Sequence, residues 1–246
     1  MVRGVSPDPQ RTALVIAHEP DGPSGQVGFR LTDRGFSLNT HLVTADYDQP
    51  QVFAPWPSFE DYDLIVVMGS VRSLANKDEV SSWIHDEIAD IRAAIERDQP
   101  VLGVCFGGQL IADAMGGSVE VAPEVEIGWY DVEPLDDAPS VIGDGPWFEW
   151  HHDRFHAPAD TEVLARNESS TQLIRIGSSV GTQFHPEVDV PHVQGFLQDA
   201  PPDYLAEVGI VPDEMLAEMR EKQADNSRRC HALVDWFLDE VAFPPE

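Results

Sequence analysis

The chain has 246 residues, 42% of them hydrophobic and 24% charged, which suits one α/β domain with an appendage better than two full domains. Forty-four acidic residues against 15 basic ones give a formal net charge of −29, a surface that repels nucleic acid and anionic membranes. No apolar run is long enough to cross a bilayer, the first residues lack an apolar secretory core, and the two cysteines, Cys105 and Cys230, form no disulfide framework; the expected compartment is the cytoplasm.

Residues 1–10 hold two prolines and no periodic pattern, and read as a flexible arm. TALVIA, within 11–17, reads as a buried first strand; a helix follows over 26–34, stopped by Gly35, and 36–45 has strand character. This strand, helix, strand rhythm predicts a parallel sheet. The glycine-rich loop at 21–28 lacks both the GxGxxG spacing and the Lys-Ser/Thr ending of a nucleotide loop, so it is read as a plain connection. DLIVVM at 63–68 is a strongly apolar strand that ends at Gly69, and an amphipathic helix over 79–97 leads to the next strand at 101–104.

The stretch PVLGVCFGGQLIADAMGG at 100–117 carries the first chemical signal. A short strand meets Cys105 among Gly103, Gly107 and Gly108, and a helical pattern over 109–115 begins at once. A nucleophile on such a sharp turn projects outward, and the helix N-terminus favours thiolate. The backbone N–H groups of Phe106 and of the Gly69 turn, gathered at the C-terminal edge of a parallel sheet, are the natural oxyanion donors.

Beyond Gly117 the sequence becomes strand-like and turn-rich, with strands expected at 118–121, 128–132, 140–143, 147–156, 161–166, 173–176 and 180–184. Antiparallel strands added to the parallel set make a mixed sheet. The tail shows helical spacing at 213–220 and 230–241, joined by the polar run KQADNSRR and read as one or two closing helices. GTQFHPEV at 181–188 is the second chemical signal: on extended chain His185 and Glu187 share a direction, as a general base and its orienter do. His151, His152, Asp153 and His156 stand close together, but no HExxH or cysteine partner accompanies them, so no metal is expected.

Taken together, these stretches resemble the class I glutamine amidotransferases of the triad type, in particular free-standing members similar to the glutaminase half of GMP synthase. The elbow GxCxGxQ stands as Gly103, Cys105, Gly107 and Gln109, and the HPE signature as His185, Pro186 and Glu187. Met68-Gly69-Ser70 resembles the oxyanion-strand turn, EWHHDRF the WHxDxF stretch near the glutamine site, and EIGWYDV the strand before it. The likeness covers about 13–193. It implies a flavodoxin-like α/β fold, with a mixed, mostly parallel central sheet flanked by helices. The amidotransferase domain would span 11–200, with a C-terminal helical extension over 201–246 packed on it.

By the same resemblance Cys105, His185 and Glu187 form a catalytic triad that releases ammonia from glutamine through a γ-glutamyl thioester, with Gly69 and Phe106 holding the oxyanion. Gln109, Trp150, His151, His152 and Asp153 would hold the amino-acid end of the substrate. No cofactor is implied. The expected partners are glutamine or a γ-glutamyl small molecule and, since the chain shows no nucleotide loop, a separate synthetase or acceptor protein; nucleic acid and membranes are not expected. Gly108 in place of the usual histidine, and Ser70-Val71-Arg72 in place of a glycine-proline run, depart from the family pattern. Two alternatives stand beside this reading: a γ-glutamyl peptidase acting on a larger compound, and a non-catalytic redox sensor resembling the DJ-1 group.

Overall fold

The computed structural model describes residues 10–159 and 161–245. The arm expected at 1–10 lies, except for Gln10, outside them. In chain order the elements are β1 (Thr12–Ala17), α1 (Gly25–Asp33), β2 (Ser37–Leu42), β3 (Leu64–Val67), α2 (Ile84–Glu96), β4 (Val101–Val104), α3 (Phe106–Ala114) and β5 (Ser118–Tyr130). There follow β6 (Glu133–Pro134), β7 (Trp147–His156), β8 (Glu162–Arg166), β9 (Thr171–Ile176), β10 (Ser179–Thr182), α4 (Val190–Asp199), α5 (Pro202–Glu207) and α6 (Pro212–Trp236).

Among the described residues the main sheet has eight strands in the order β2-β1-β3-β4-β10-β9-β8-β6. The first five run parallel and the last three pair antiparallel, the expected mixed and mostly parallel arrangement. Strands β3 and β4 are buried along their whole length because helices cover both faces. Alternate side chains divide between two cores. Ala13, Val15, Leu64 and Val66 meet α1 and α6, while Leu14, Ile16, Ile65 and Val67 meet α2 and α3. Neighbouring strands β1, β3, β4 and β10 therefore deliver His18, Gly69, Cys105 and Gln183 to a single sheet edge.

Several elements differ from the sequence expectation, each for a local reason. The strands expected at 118–121 and 128–132 are one strand, β5, broken by a bulge between Val121 and Glu126 where Pro123 cannot join the ladder. Instead of extending the main sheet, β5 and β7 form a separate two-stranded ribbon. Residues Ser140–Asp144 form a 3-10 turn rather than a strand; Pro139 starts it, and the Ile142 carbonyl accepts from Trp147 Nε1 at 3.1 Å. Of the one or two helices expected in the tail, one forms, the 25-residue α6, because KQADNSRR contains no breaker and several good helix formers. Helix α4 escaped notice in the sequence; Asp189 caps it through His192 N–H, and Pro191 sits in its first turn.

Helix α6 is fastened at two points, near its middle and at its C-terminal end. Asn226 Nδ2 donates to the carbonyls of Pro186 and Val188 at 3.2 and 3.0 Å, pinning the HPE turn. Arg30 and Arg34 of α1 fork onto Asp235, with contacts of 2.6 Å each. Those ion pairs are partly exposed, so the apolar contacts of Cys230, Leu233, Val234 and Phe237 carry most of the docking energy.

Helix α3 lies directly against strand backbone. A Cβ on Gly107 would fall 2.1 Å from the Val67 carbonyl oxygen, and one on Gly108 would fall 2.3 Å from that of Thr182. At Gly108, where this chain departs from the family pattern, β10 leaves no room for a side chain. Gly108→Ala should push α3 off β10 and destabilise the fold by about 1–3 kcal/mol, measured by urea unfolding. An unchanged unfolding midpoint would show that the close approach relaxes freely.

Candidate active site

Cys105 is the residue between β4 and α3, and its backbone is left-handed, with φ 51° and ψ −106°. A non-glycine residue held there stores strain of order 1–3 kcal/mol, which the surroundings must over-determine. They do so through the Cys105 N–H, which donates to the Thr182 carbonyl at 2.8 Å, and through the glycine contacts beneath α3. The residue is 5% exposed. Gln183 Nε2 lies 3.7 Å from its sulfur, and the Trp150 carbonyl lies 4.0 Å from it.

His185 and Glu187 arrive from the turn after β10. His185 Nδ1 is 2.7 Å from Glu187 Oε1, and both side chains are buried. The His185 N–H donates to the Phe148 carbonyl at 2.8 Å, and Gln26 N–H donates to that of Glu187 at 2.9 Å, so the turn is held from two sides besides α6. The other imidazole nitrogen, Nε2, is buried without a hydrogen-bond partner. Burial alone would lower the His185 pKa, but the charges of Glu187 and of the neighbouring Cys105 outweigh it and raise the value well above 6.5. Cys105 and His185 both lie against Gly69, and no hydrogen bond joins the thiol to Nε2.

Gly69 covers this pair. A Cβ there would lie 3.2 Å from His185 Cε1 and 3.8 Å from Cys105 Cβ, so a side chain at 69 would displace the imidazole. The Gly69 carbonyl accepts from His18 Nδ1 at 3.2 Å, while His18 Nε2 meets the Glu87 carboxylate at 3.1 and 3.3 Å. The His18 ring also packs edge-on against Phe106, 4.8 Å between centroids. One buried histidine therefore braces both expected oxyanion residues. Neither His18 nor Glu87 was singled out in the sequence; the available signal was the position of His18 directly after an apolar strand that ends at the same sheet edge.

A cavity of about 450 Å³ opens beside the thiol and is lined by Gly69, Gln109, Trp150, His151, His152 and Asp153, all six noted in the sequence, together with Phe196 and Tyr204 from α4 and α5. Several of these polar groups already have protein partners. Gln109 Nε2 donates to the Asp153 carbonyl at 3.2 Å and to Gln183 Oε1 at 3.3 Å. Asp153 Oδ2 accepts from Ser73 Oγ at 2.7 Å and from Ala75 N–H at 3.0 Å, which fastens the loop after β3 to β7. His152 meets the Tyr204 hydroxyl. His151 turns toward Glu126 and Glu149 at 3.0 and 3.3 Å; burial opposes its charge, but the two carboxylates raise its pKa to about 10. Arg72, in the segment that departs from the family pattern, reaches Glu19 and donates to the Tyr47 carbonyl at 2.6 Å, so that segment is tied down by charge.

Residues 26–196 match the family described as glutamine amidotransferase class-I. The chain belongs to that family. A relative from Salmonella typhimurium, the glutamine amidotransferase-like protein YfeJ, is 28% identical over 241 residues, covering 92% of this chain and 95% of its own length. The glutamine-hydrolysing GMP synthase of Aeropyrum pernix is 34% identical over 147 residues, but the match covers 56% of this chain and only 28% of that enzyme. In fold, a glutamine amidotransferase of Thermotoga maritima superimposes with a TM-score of 0.80 over 94% of this chain and 100% of that one, at 23% identity. Among the described residues of this class I amidotransferase no helix is long and apolar enough to cross a membrane.

The His18–Glu87 pair makes a pH-dependent contribution to stability. Burial lowers the His18 pKa, Glu87 raises it more, and the net value is above 6.5. The gain is therefore complete below about pH 6.5 and fades as pH rises through the raised folded value. Glu19, Gly69 and the ring of His41 also face this pair. Glu87→Gln should cost about 3 kcal/mol near pH 6, with the deficit shrinking at alkaline pH. Urea titrations across that range check this, and a deficit independent of pH would remove the charged role of His18.

Proposed function

We propose that this chain is a glutamine-hydrolysing amidotransferase component whose triad is Cys105, His185 and Glu187. One observation carries the reading: a cysteine at φ 51° stands beside the buried, unpartnered Nε2 of an imidazole whose Nδ1 is tied to a carboxylate at 2.7 Å. Family membership supports the same chemistry.

In this mechanism Cys105 Sγ attacks the γ-carbonyl carbon of glutamine as thiolate, with its proton held on His185. The N–H groups of Gly69 and Phe106 stabilise the oxyanion, with His18 fixing the loop that carries the first. As the tetrahedral adduct collapses, His185 Nε2 protonates the leaving amine, releasing ammonia and leaving a γ-glutamyl thioester. His185 then takes a proton from water, hydroxide adds to the thioester carbon, and collapse frees glutamate and restores the thiol. Glu187 orients the ring and offsets its charge throughout. Trp150 and the network of Gln109 and Asp153 form the wall for the amino-acid end. A separate synthetase or acceptor protein would use the ammonia; one relative, from Sulfolobus acidocaldarius, is itself a single subunit of a glutamine-hydrolysing GMP synthase.

A second reading, a γ-glutamyl hydrolase for a larger compound, is favoured by the cavity. Its volume of about 450 Å³ reaches past the thiol to Phe196, Pro201 and Tyr204, and cavities of about 300–1,000 Å³ hold ligands larger than one amino acid. The sensor reading gives no task to the His185–Glu187 pair.

Incubation with 6-diazo-5-oxo-norleucine should add one label to Cys105 by intact-chain mass spectrometry, alongside release of ammonia from glutamine. Cys105→Ala should lose both; label elsewhere on the chain would overturn the assignment. His185→Ala should reduce turnover by about 10²–10⁴-fold, and Glu187→Gln by less. The alkaline limb of kcat/KM should lie well above pH 6.5 and move to lower pH in Glu187→Gln, because the carboxylate that favours imidazolium is gone. A limb unmoved by that substitution would show that another group controls the proton.

A further inference from the structure

Beneath the substrate wall the β5–β7 ribbon assembles two carboxylates and an imidazole on one face. Glu126 and His151 are directly opposite in the ladder, and Glu149 stands two residues before His151 on the same strand. All three are buried, Glu126 with 4% exposure, His151 with 3% and Glu149 with 0%. Their ligand atoms lie within 4.8 Å of one another. We propose that Glu126, Glu149 and His151 bind a divalent first-row transition ion, zinc by preference, as a structural clamp between β5 and β7.

Three observations carry this. First, the ligand atoms are short of partners. Neither oxygen of Glu149 has a hydrogen bond, nor does His151 Nε2, although Glu126 Oε2 and Glu149 Oε2 lie 3.0 and 3.3 Å from it. Those oxygens sit off the axis along which an Nε2–H would point. Ligands about 2.0–2.2 Å from one zinc stand about 3.3 Å apart in a tetrahedron, near the two spacings seen.

Second, the imidazole is oriented as a ligand is. His151 Nδ1 donates to the Asp153 carbonyl at 3.0 Å, which leaves Nε2 facing the carboxylates. Glu126 is oriented in turn by Asn167 Nδ2 at 2.7 Å. Gln172 is fully buried and its amide nitrogen lies 3.5 Å from Glu126 Oε2; a water would complete four ligands.

Third, no side chain outside the cluster supplies a counter-charge. Among the described residues no lysine or arginine pairs with Glu126 or Glu149, so the His151 ring is the basic group they face. A divalent ion that takes the place of the proton on Nε2 neutralises both carboxylates. Imidazole disfavours magnesium and calcium, and the absence of thiolate from the set disfavours copper(I). The sequence hid this site because its carboxylates come from a neighbouring strand and from the residue before Trp150. His152, Asp153 and His156, which prompted the question of a metal, point elsewhere.

The rival occupant is a proton on Nε2. The full chain carrying Cys105→Ala, so that no active-site thiolate can bind metal, is expressed with zinc supplementation and assayed by elemental mass spectrometry. About one zinc per chain is expected. Glu149→Gln and Glu126→Gln should each lower the content at least tenfold. Chain unfolded with chelator and refolded with zinc chloride should regain the ion and a higher Tm than chain refolded without it. Refolding with cobalt(II) should give d–d absorption without a thiolate charge-transfer band. If the refolded Cys105→Ala chain stays metal-free with unchanged Tm, the proton reading stands and the proposal falls, whether or not the glutamine variants fold. Equal zinc in the variants and their parent would also overturn it, by placing the ion elsewhere.

Discussion

The contact on which the site depends is the one between helix α3 and the strand backbone beneath it. Glycines at 103, 107 and 108 let the helix start within van der Waals reach of the carbonyls of Val67 and Thr182. No side chain intervenes to cushion the approach. The chain can then turn from β4 into α3 only through a left-handed residue, and that residue is Cys105. The strain at the elbow and the tight packing below it are two aspects of one constraint, which a β-branched or bulky residue in the glycine frame would remove.

Around that fixed thiol the chain places charges that are buried but compensated. His185 is held by Glu187, and His18 by Glu87. In each pair desolvation works against the imidazolium and a carboxylate restores it. The first pair faces the sulfur directly. The second stands behind Gly69 and Phe106, where it orients backbone rather than substrate. The strongly acidic surface plays no part in this arrangement, since the groups that set the site's electrostatics are withdrawn from solvent.

The segment after β10 links the site to the periphery. Asn226 of α6 donates to two carbonyls of the HPE turn, and α4 and α5 add Phe196 and Tyr204 to the cavity. Buried Cys230 lies in the same helix, its thiol pushed up by burial and by the nearby Glu187. The C-terminal helix therefore supports His185 and Glu187 from behind as well as closing the sheet. Its length as one unbroken helix places Asn226 and Asp235 on different supports.

Local chemistry was enough to read much of this from the residues alone. Short apolar runs bounded by glycine marked β1, β3 and β4, the glycine frame marked the Cys105 elbow, and alternation along an extended chain put His185 and Glu187 on one side. What could not be read were the features that depend on which strand lies beside which. The pairing of β5 with β7 as a separate ribbon brings Glu126 opposite His151, and the order β1-β3-β4-β10 brings His18 to Gly69 and Gln183 to Cys105. The burial of Asn226 and Arg229 within the polar run of α6 was likewise decided by packing, through tertiary contacts that helical periodicity does not encode. Sequence determined the chemistry at each turn through short-range sterics and side-chain type; the tertiary structure alone decided which distant residues share a buried, low-dielectric space, and with it their partners and proton affinities.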